Sequence, residues 1–257
     1  MRFLPTVAFV AILVLCLGIF VSTKTSPSQN TQEPAADIKL TNKTNLQVIQ
    51  AKREKKGLLL TFKNNYAKRI TAFAVTIGHF QFKEDFVSNE VSDEFGINPN
   101  GSLERRIPIL SSNQNDSVIH ATLQAVIFDD KSGDGDPVIF EDMRDDRLGQ
   151  AIQIRRSLKI LERYVRLEKF DTSQLKNELE LAWGATETET VAELRQLRPL
   201  GTINRKGDGP LSAYVKTGLE DAKADAKRRF DEAAQSSSKR DSLLKIKAHY
   251  ERLLKRL

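Results

Sequence analysis

An almost unbroken run of apolar residues, 3–21, follows Arg2 at the start of the chain. A signal-peptide core is typically about 7–15 residues long, whereas a membrane-spanning helix needs about 20. The length predicts export, with residues 1–23 as either a signal peptide or a transmembrane anchor. Residues 24–37 are polar and rich in Ser, Thr, Gln and Pro, which predicts a disordered linker.

The end of the apolar run leaves its processing open. Phe20 and Val21 stand where a cleavage site has small residues. Cys16 suggests bacterial lipidation, although Leu15 stands where Gly, Ala or Ser is usual. An uncleaved anchor, a cleaved signal and a lipoprotein all place the remaining chain outside the cytoplasm, either membrane-anchored or periplasmic or secreted. The uncleaved anchor contacts the membrane through residues 3–21.

From about Ile38 to Phe128 the apolar positions follow the period of two that is typical of strands. Turn signals such as Asn64-Asn65 separate about six or seven short runs, with no helical pattern between them. We therefore predict an antiparallel β-sandwich of immunoglobulin-like type over residues 38–140.

Two of these runs show the alternation most clearly. In the first, Phe73, Val75 and Ile77 fall on one face. In the second, the apolar positions are Ile119, Ala121, Leu123, Ala125 and Ile127, and the polar ones are His120, Thr122 and Gln124. This alternation predicts a half-buried antiparallel strand whose five apolar residues share one face.

After Pro137 the spacing changes to the 3-4-3-4 pattern of a helix, which makes the fold class α+β with an α-helical region at residues 141–257. The first predicted helix runs from about Glu141 to Phe170. The others are a helix capped by Thr172 or Ser173 that ends at Gly184, a short helix over 188–197, a helix from Ser212 to about Gln235, and a last helix to Leu257.

The last helix carries an apolar stripe, formed by Leu243, Ile246, Tyr250, Leu253 and Leu257. Two interpretations stay open. The stripe docks on the chain's own helices, or it binds a partner helix, although two heptads are few for a coiled coil.

Composition limits the chemistry. Cys16 is the only cysteine, so no internal disulfide is available. The net charge is +6, and its excess of Lys and Arg lies between Ser212 and Leu257. Such a patch is typical of a solvated helix face, an anionic surface or an acidic partner. Because the chain is predicted to be exported, we expect no nucleic-acid partner.

Three segments resemble known exported proteins. The run 60–73 is similar to the strand–turn–strand opening of small bacterial surface sandwiches, among them the domains named for an FxLYD motif, although that string is absent. The turn at 96–101 resembles their proline–glycine turn, and the run 126–136 resembles a strand end of uncharacterised exported proteins. The resemblance covers residues 46–136 and implies an auxiliary envelope domain without active-site residues.

The acidic turn that begins at Asp130 has the spacing of a calcium loop. Asp130, Ser132 and Asp134 occupy the first, third and fifth positions, and Glu141 the twelfth. A strand rather than a helix precedes this turn, and Pro137 replaces an apolar residue. The alternative is a strand-to-helix turn built from good turn formers. Calcium is the one cofactor that the sequence suggests.

Motifs for catalysis are missing from the sequence. The three histidines lack the spacing of zinc ligands, and neither a G-x-S-x-G elbow nor a phosphate loop occurs. We therefore predict a non-enzymatic interaction or scaffold protein of the bacterial envelope, which binds an envelope protein through its helical tail. The alternative is an envelope hydrolase with an unrecognised site between the sandwich and the helices.

Overall fold

The computed structural model describes residues 37–54, 57–79, 82–88, 96–108, 118–197 and 211–257. The predicted signal peptide or anchor, Cys16 and residues 24–36 of the predicted linker lie outside this part of the chain. Within these ranges, no helix is long and apolar enough to span a membrane. Ala35–Leu257 forms one compact unit.

Strands precede helices along the described chain, which is therefore α+β. The strands are β1 (Asp37–Asn42), β2 (Leu46–Glu54), β3 (Gly57–Asn64), β4 (Ile70–His79), β5 (Phe82–Ser88), β6 (Ser102–Pro108), β7 (Val118–Phe128) and β8 (Gly133–Gly135). The helices are α1 (Pro137–Tyr164), α2 (Thr172–Trp183), α3 (Glu187–Leu197), α4 (Ala213–Gln235) and α5 (Lys239–Arg256).

Two sheets share one apolar core. The larger sheet has the order β1-β7-β4-β5, with β8 also paired to β7, and the smaller sheet has the order β2-β3-β6. The core residues of the smaller sheet include Leu46, Leu58, Leu60 and Phe62, and those of the larger include Phe73, Val75, Ile77 and Leu123. The predicted face of Phe73, Val75 and Ile77 is thus confirmed.

The larger sheet is mixed, which corrects the prediction of a purely antiparallel sandwich. β1 runs parallel to the first half of β7, from Asp37 opposite Val118 to Asn42 opposite Leu123. β8 pairs antiparallel with the second half of β7. Neighbouring parallel strands need a long connection. Here that connection is the whole segment from β2 to β6, so a local alternation pattern carries no sign of it.

A bulge at Gln124 changes the face on which the later residues of β7 lie. The register between β4 and β7 skips this residue. The residues before it, Ile119, Ala121 and Leu123, lie in the core between the sheets. Ala125 and Ile127 lie on the opposite face, against α1. The prediction that all five share one face is therefore wrong beyond the bulge, because an extra residue inverts a period of two.

The first turns of α1 attach the helices to the larger sheet. Ile139, Phe140 and Met143 pack against Ala72, Ala74, Ala125 and Ile127. The buried Arg147 donates from Nη2 to the carbonyl oxygen of Thr71 at 2.8 Å and to its hydroxyl at 2.9 Å. Burial lowers the pKa of the Arg147 guanidinium to about 10.

α1 begins and ends earlier than predicted, at Pro137 and Tyr164 instead of Glu141 and Phe170. Asp136 caps it by accepting hydrogen bonds from the amides of Val138 and Ile139, at 3.0 and 3.4 Å. Proline suits the first helical position because its missing N–H has no acceptor there. An acidic cap followed by proline is therefore the start signal of this helix.

The sequence predicted the end of α2 and the cap of α4 correctly, but not the cap of α2. α2 ends at Gly184, as predicted, but its cap is Asp171, which accepts from the Ser173 amide at 2.8 Å, and not Thr172 or Ser173. α4 is capped by Ser212, as predicted.

The stripe of α5 docks on the chain's own helices, which decides between the two interpretations of that stripe. Leu243, Ile246, Tyr250 and Leu253 are buried in one cluster with residues of α1, α2 and α4. Trp183 belongs to the same cluster, and its Nε1 donates to the Ser157 hydroxyl at 3.0 Å. A partner helix cannot use these side chains without displacing α5.

Candidate functional site

The loop from Asp129 to Asp136 contains three of the four residues of the predicted calcium site. Asp130 accepts hydrogen bonds from the Ser132 amide at 3.0 Å and from its hydroxyl at 2.5 Å, and it forms an ion pair with Lys68 at 2.7 Å. Lys68, followed by Ser132, lowers the pKa of Asp130 to about 2. The structure thus brings Asp130 and Ser132 together with Lys68, a residue that no sequence motif connected with this loop.

Asp134 has a different partner. The Tyr66 hydroxyl donates to Asp134 Oδ2 at 2.5 Å and accepts from the Asn45 amide at 2.7 Å. Burial, and after it the hydrogen bond to Asp134, raises the pKa of Tyr66 to about 12. Tyr66 therefore links three loops at this end of the sheets. The sequence marked only the preceding Asn64-Asn65 turn.

Glu141, the fourth predicted ligand, lies in the first turns of α1, where it accepts from Arg144 Nη1 at 2.8 Å. Among the described residues, no three His, Cys, Asp or Glu side chains gather closely enough to hold a metal ion. Calcium stays a prediction, and it requires Asp130 to exchange Lys68 for the ion. Calorimetric titration of the protein tests it. Saturable heat that Asp130→Asn removes supports the site, and a flat titration at millimolar calcium contradicts it.

This loop also fixes the start of α1. Besides capping the helix, Asp136 forms an ion pair with Lys43 at 3.0 Å. Gly135 has a φ of +107°, and a Cβ there would lie 2.2 Å from the Gln124 carbonyl oxygen. Only glycine fits such a backbone at so close an approach. The geometry therefore provides a rigid joint between the sheets and α1.

A second surface, the basic face, is formed by Lys245, Arg252 and Lys255 on the outer side of α5. Positions 245 and 252 are two turns apart and lie on one side of the helix, and all three residues are exposed. The helix holds seven Lys or Arg and only two acidic residues, Asp241 and Glu251, whereas α4 has five of each sign. The charge excess of the C-terminal region is thus located in α5.

A third feature, the helical cleft, is an open groove lined by Phe170 and by residues of α2, α4 and α5. Its apolar lining includes Phe170, Leu175, Leu179, Trp183, Phe230 and Leu243. The rings of Trp183 and Phe230 are tilted at 48°, with centroids 6.2 Å apart. Charged residues also line the cleft, namely Lys176, Glu180, Lys227, Asp231 and Lys239.

Two polar contacts join opposite walls of the helical cleft. Lys176 of α2 forms an ion pair with Asp231 of α4 at 3.6 Å, and Lys239 of α5 donates to the Thr172 hydroxyl of α2 at 3.2 Å. Trp183 packs between the helices, in one cluster with residues of α1, α4 and α5. The i, i+4, i+8 spacing of Leu175, Leu179 and Trp183 was the available signal for the wall that α2 provides.

Comparison of the chain with protein-family models, with curated proteins and with solved structures found no match.

Proposed function

We propose that this chain is an exported, membrane-tethered and non-enzymatic interaction or scaffold protein of the bacterial envelope. The apolar residues 3–21 support export and tethering. The observation that carries the interaction is the basic face of α5. It displays an excess of positive charge on a helix whose apolar side is buried.

We also propose that the sheets form an immunoglobulin-like sandwich. In that fold one sheet contains strands A, B and E, and the other contains C, F and G, with C′ beside C in variable-type domains. The orders β2-β3-β6 and β5-β4-β7 correspond to A-B-E and C′-C-F. The three-residue β8 takes the place of a short G strand, and β1 extends the same edge of β7.

The basic face suits a partner with an acidic surface. Since Leu243, Ile246, Tyr250 and Leu253 fix α5 to the helical core, its charges are held in place before binding. Complementary charge chiefly raises the association rate and selects the partner. The surface therefore favours recognition of an acidic envelope protein.

Affinity capture from detergent-solubilised envelope, with the full chain as bait and mass spectrometry as readout, tests this proposal. We expect one acidic protein to be retained in a fixed ratio. We expect Lys245→Glu with Lys255→Glu to reduce its retention about tenfold. The matched control is Lys52→Glu with Lys63→Glu, which changes the net charge equally at exposed positions of the smaller sheet.

Equal retention by both double variants contradicts the role of α5, and the absence of any reproducible partner contradicts the interaction function. Deletion of residues 236–257 is not a usable variant. It removes Tyr250 and Leu253 from the helical core, so a loss of binding would report unfolding.

A further inference from the structure

The helical cleft has the features of a binding site for a slender apolar ligand with a negatively charged end. We propose that it binds a long-chain fatty acid, with the acyl chain along the apolar floor and the carboxylate near Lys227. The site shares no residue with the basic face of α5, so it is independent of the proposed protein interaction.

The floor of the cleft selects for hydrocarbon. Leu175, Leu179, Phe230 and Leu243 offer no hydrogen bond to a ligand. The only polar atom of Trp183, Nε1, already donates to Ser157. A polar ligand would lose its bonds to water here and gain none, whereas an acyl chain gains about 0.8 kcal/mol for each methylene that it buries.

The width of the cleft selects for a single chain. The Lys176–Asp231 pair and the Lys239–Thr172 hydrogen bond connect α2 to α4 and to α5. A partner helix with its side chains is about 10–12 Å across, so it would have to break both contacts to reach the floor. An extended acyl chain needs no such rearrangement.

The charges around the cleft select for an anion. Lys176 and Asp231 neutralise each other. Lys227 and Lys239 then outnumber Glu180, and Lys227 forms no ion pair within the described part of the chain. An ammonium group beside an apolar floor stabilises a carboxylate at the end of a chain that the floor holds.

Photolabelling of the full chain in lipid nanodiscs tests this proposal. The probe is palmitate with a diazirine near the end of its chain, and mass spectrometry of peptides locates the adducts. We expect labels in Leu175–Trp183 and Phe230–Leu243, and competition by unlabelled palmitate. The matched alcohol probe, which lacks the carboxylate, is expected to label these peptides about tenfold less.

Three variants make the test specific. Ala234→Trp fills the cleft and is expected to remove labelling by both probes. Lys227→Gln is expected to reduce labelling by the acid several-fold and to leave labelling by the alcohol unchanged. Lys245→Gln, at an exposed position outside the cleft, is the control and is expected to behave like the wild type.

Labelling that is spread over the protein, or that Ala234→Trp leaves unchanged, overturns the proposal. Equal labelling by the acid and the alcohol overturns the role of Lys227. A cleft that takes up neither probe, and becomes protected from proteolysis only when the captured protein is bound, would be a protein-docking groove instead. Thermal unfolding of each variant shows whether lost labelling reflects lost structure.

Discussion

Gly149 and Gly218 set the distance between α1 and α4. A Cβ on Gly149 would lie 2.1 Å from the Val215 carbonyl oxygen, and one on Gly218 would lie 1.9 Å from the carbonyl oxygen of Asp146. Both neighbours are backbone atoms, which cannot move without a shift of a whole helix. Any larger residue at these two positions therefore separates the helices.

Gly218→Ala is accordingly expected to lower the free energy of unfolding by about 1–3 kcal/mol, the usual cost of overpacking. Gly184→Ala is the control. The φ of Gly184 is −87°, and a Cβ there would meet nothing closer than 3.3 Å, so we expect a change of about 0.5 kcal/mol or less. Urea denaturation measures the change in unfolding free energy of each variant. Equal changes for Gly218→Ala and Gly184→Ala would contradict the close approach of α1 and α4.

Asp130 gives the loop end of the sheets a defined pH dependence. Its pKa is about 2 in the folded chain, against an ordinary value of 3.8, because Lys68 and Ser132 stabilise the carboxylate. A lowered folded pKa contributes stability that is complete above the unfolded pKa and is lost as the pH falls through the folded one. The loss therefore falls between about pH 4 and pH 2.

Asp130→Asn removes this contribution. We expect wild type and variant to differ in unfolding free energy at neutral pH, and the difference to shrink as the pH falls from about 4 to about 2. Asp129→Asn changes an exposed neighbour and is expected to leave the neutral-pH stability nearly unchanged. A difference between wild type and Asp130→Asn that stays constant down to pH 2 would show that the Lys68 pair does not form.

Among the elements, α5 combines a buried stripe with an exposed charged side. Leu253 is 2% exposed, whereas Leu244 on the same helix is 44% exposed. Leu253→Ala is expected to cost about 2–5 kcal/mol of unfolding free energy, and Leu244→Ala about 0.5 kcal/mol or less. Thermal or urea unfolding measures the stability lost by each of the two variants. Similar costs would mean that α5 does not pack on the helical core.

The parallel pairing of β1 with β7 is tested by engineered disulfides. Thr41 lies opposite Thr122, so cysteines at these positions in a Cys16→Ser background are expected to cross-link within one chain. Cysteines at Thr41 and Val118 are four register positions apart and are expected to remain reduced. Cross-linking of the second pair in preference to the first would indicate another register or direction.

These elements show what a sequence pattern can predict. Helices α2, α4 and α5 were predictable because their apolar stripes are local, and because Gly184 marks the end of α2 and Ser212 the start of α4. The parallel strand β1 and the bulge at Gln124 could not be predicted, because pairing between strands far apart in the sequence leaves no local pattern. The same limit applies to the loop, since Lys68 and Tyr66 lie more than 60 residues before their acidic partners, Asp130 and Asp134.

At the scale of the whole molecule, α1 connects the two kinds of structure. Its beginning packs on the larger sheet and its later turns pack against α2, α4 and α5, so Ala35–Leu257 forms one compact unit. Three residues of this connection form contacts described above. Asp136 pairs with Lys43, Arg147 donates to Thr71, and Gly149 allows α4 to approach closely at Val215. A protein with this joint presents the basic face at a fixed position relative to the sheets.

The most direct test of the interaction function is the salt dependence of binding between the full chain and the captured partner, from about 50 to about 300 mM salt. Binding of the wild type to this partner is expected to weaken steeply as the salt concentration rises. Lys245→Glu with Lys255→Glu is expected to bind about tenfold more weakly at low salt, with a shallower dependence. Superimposable curves for the wild type and this double variant would contradict the assignment of the basic face as the contact surface.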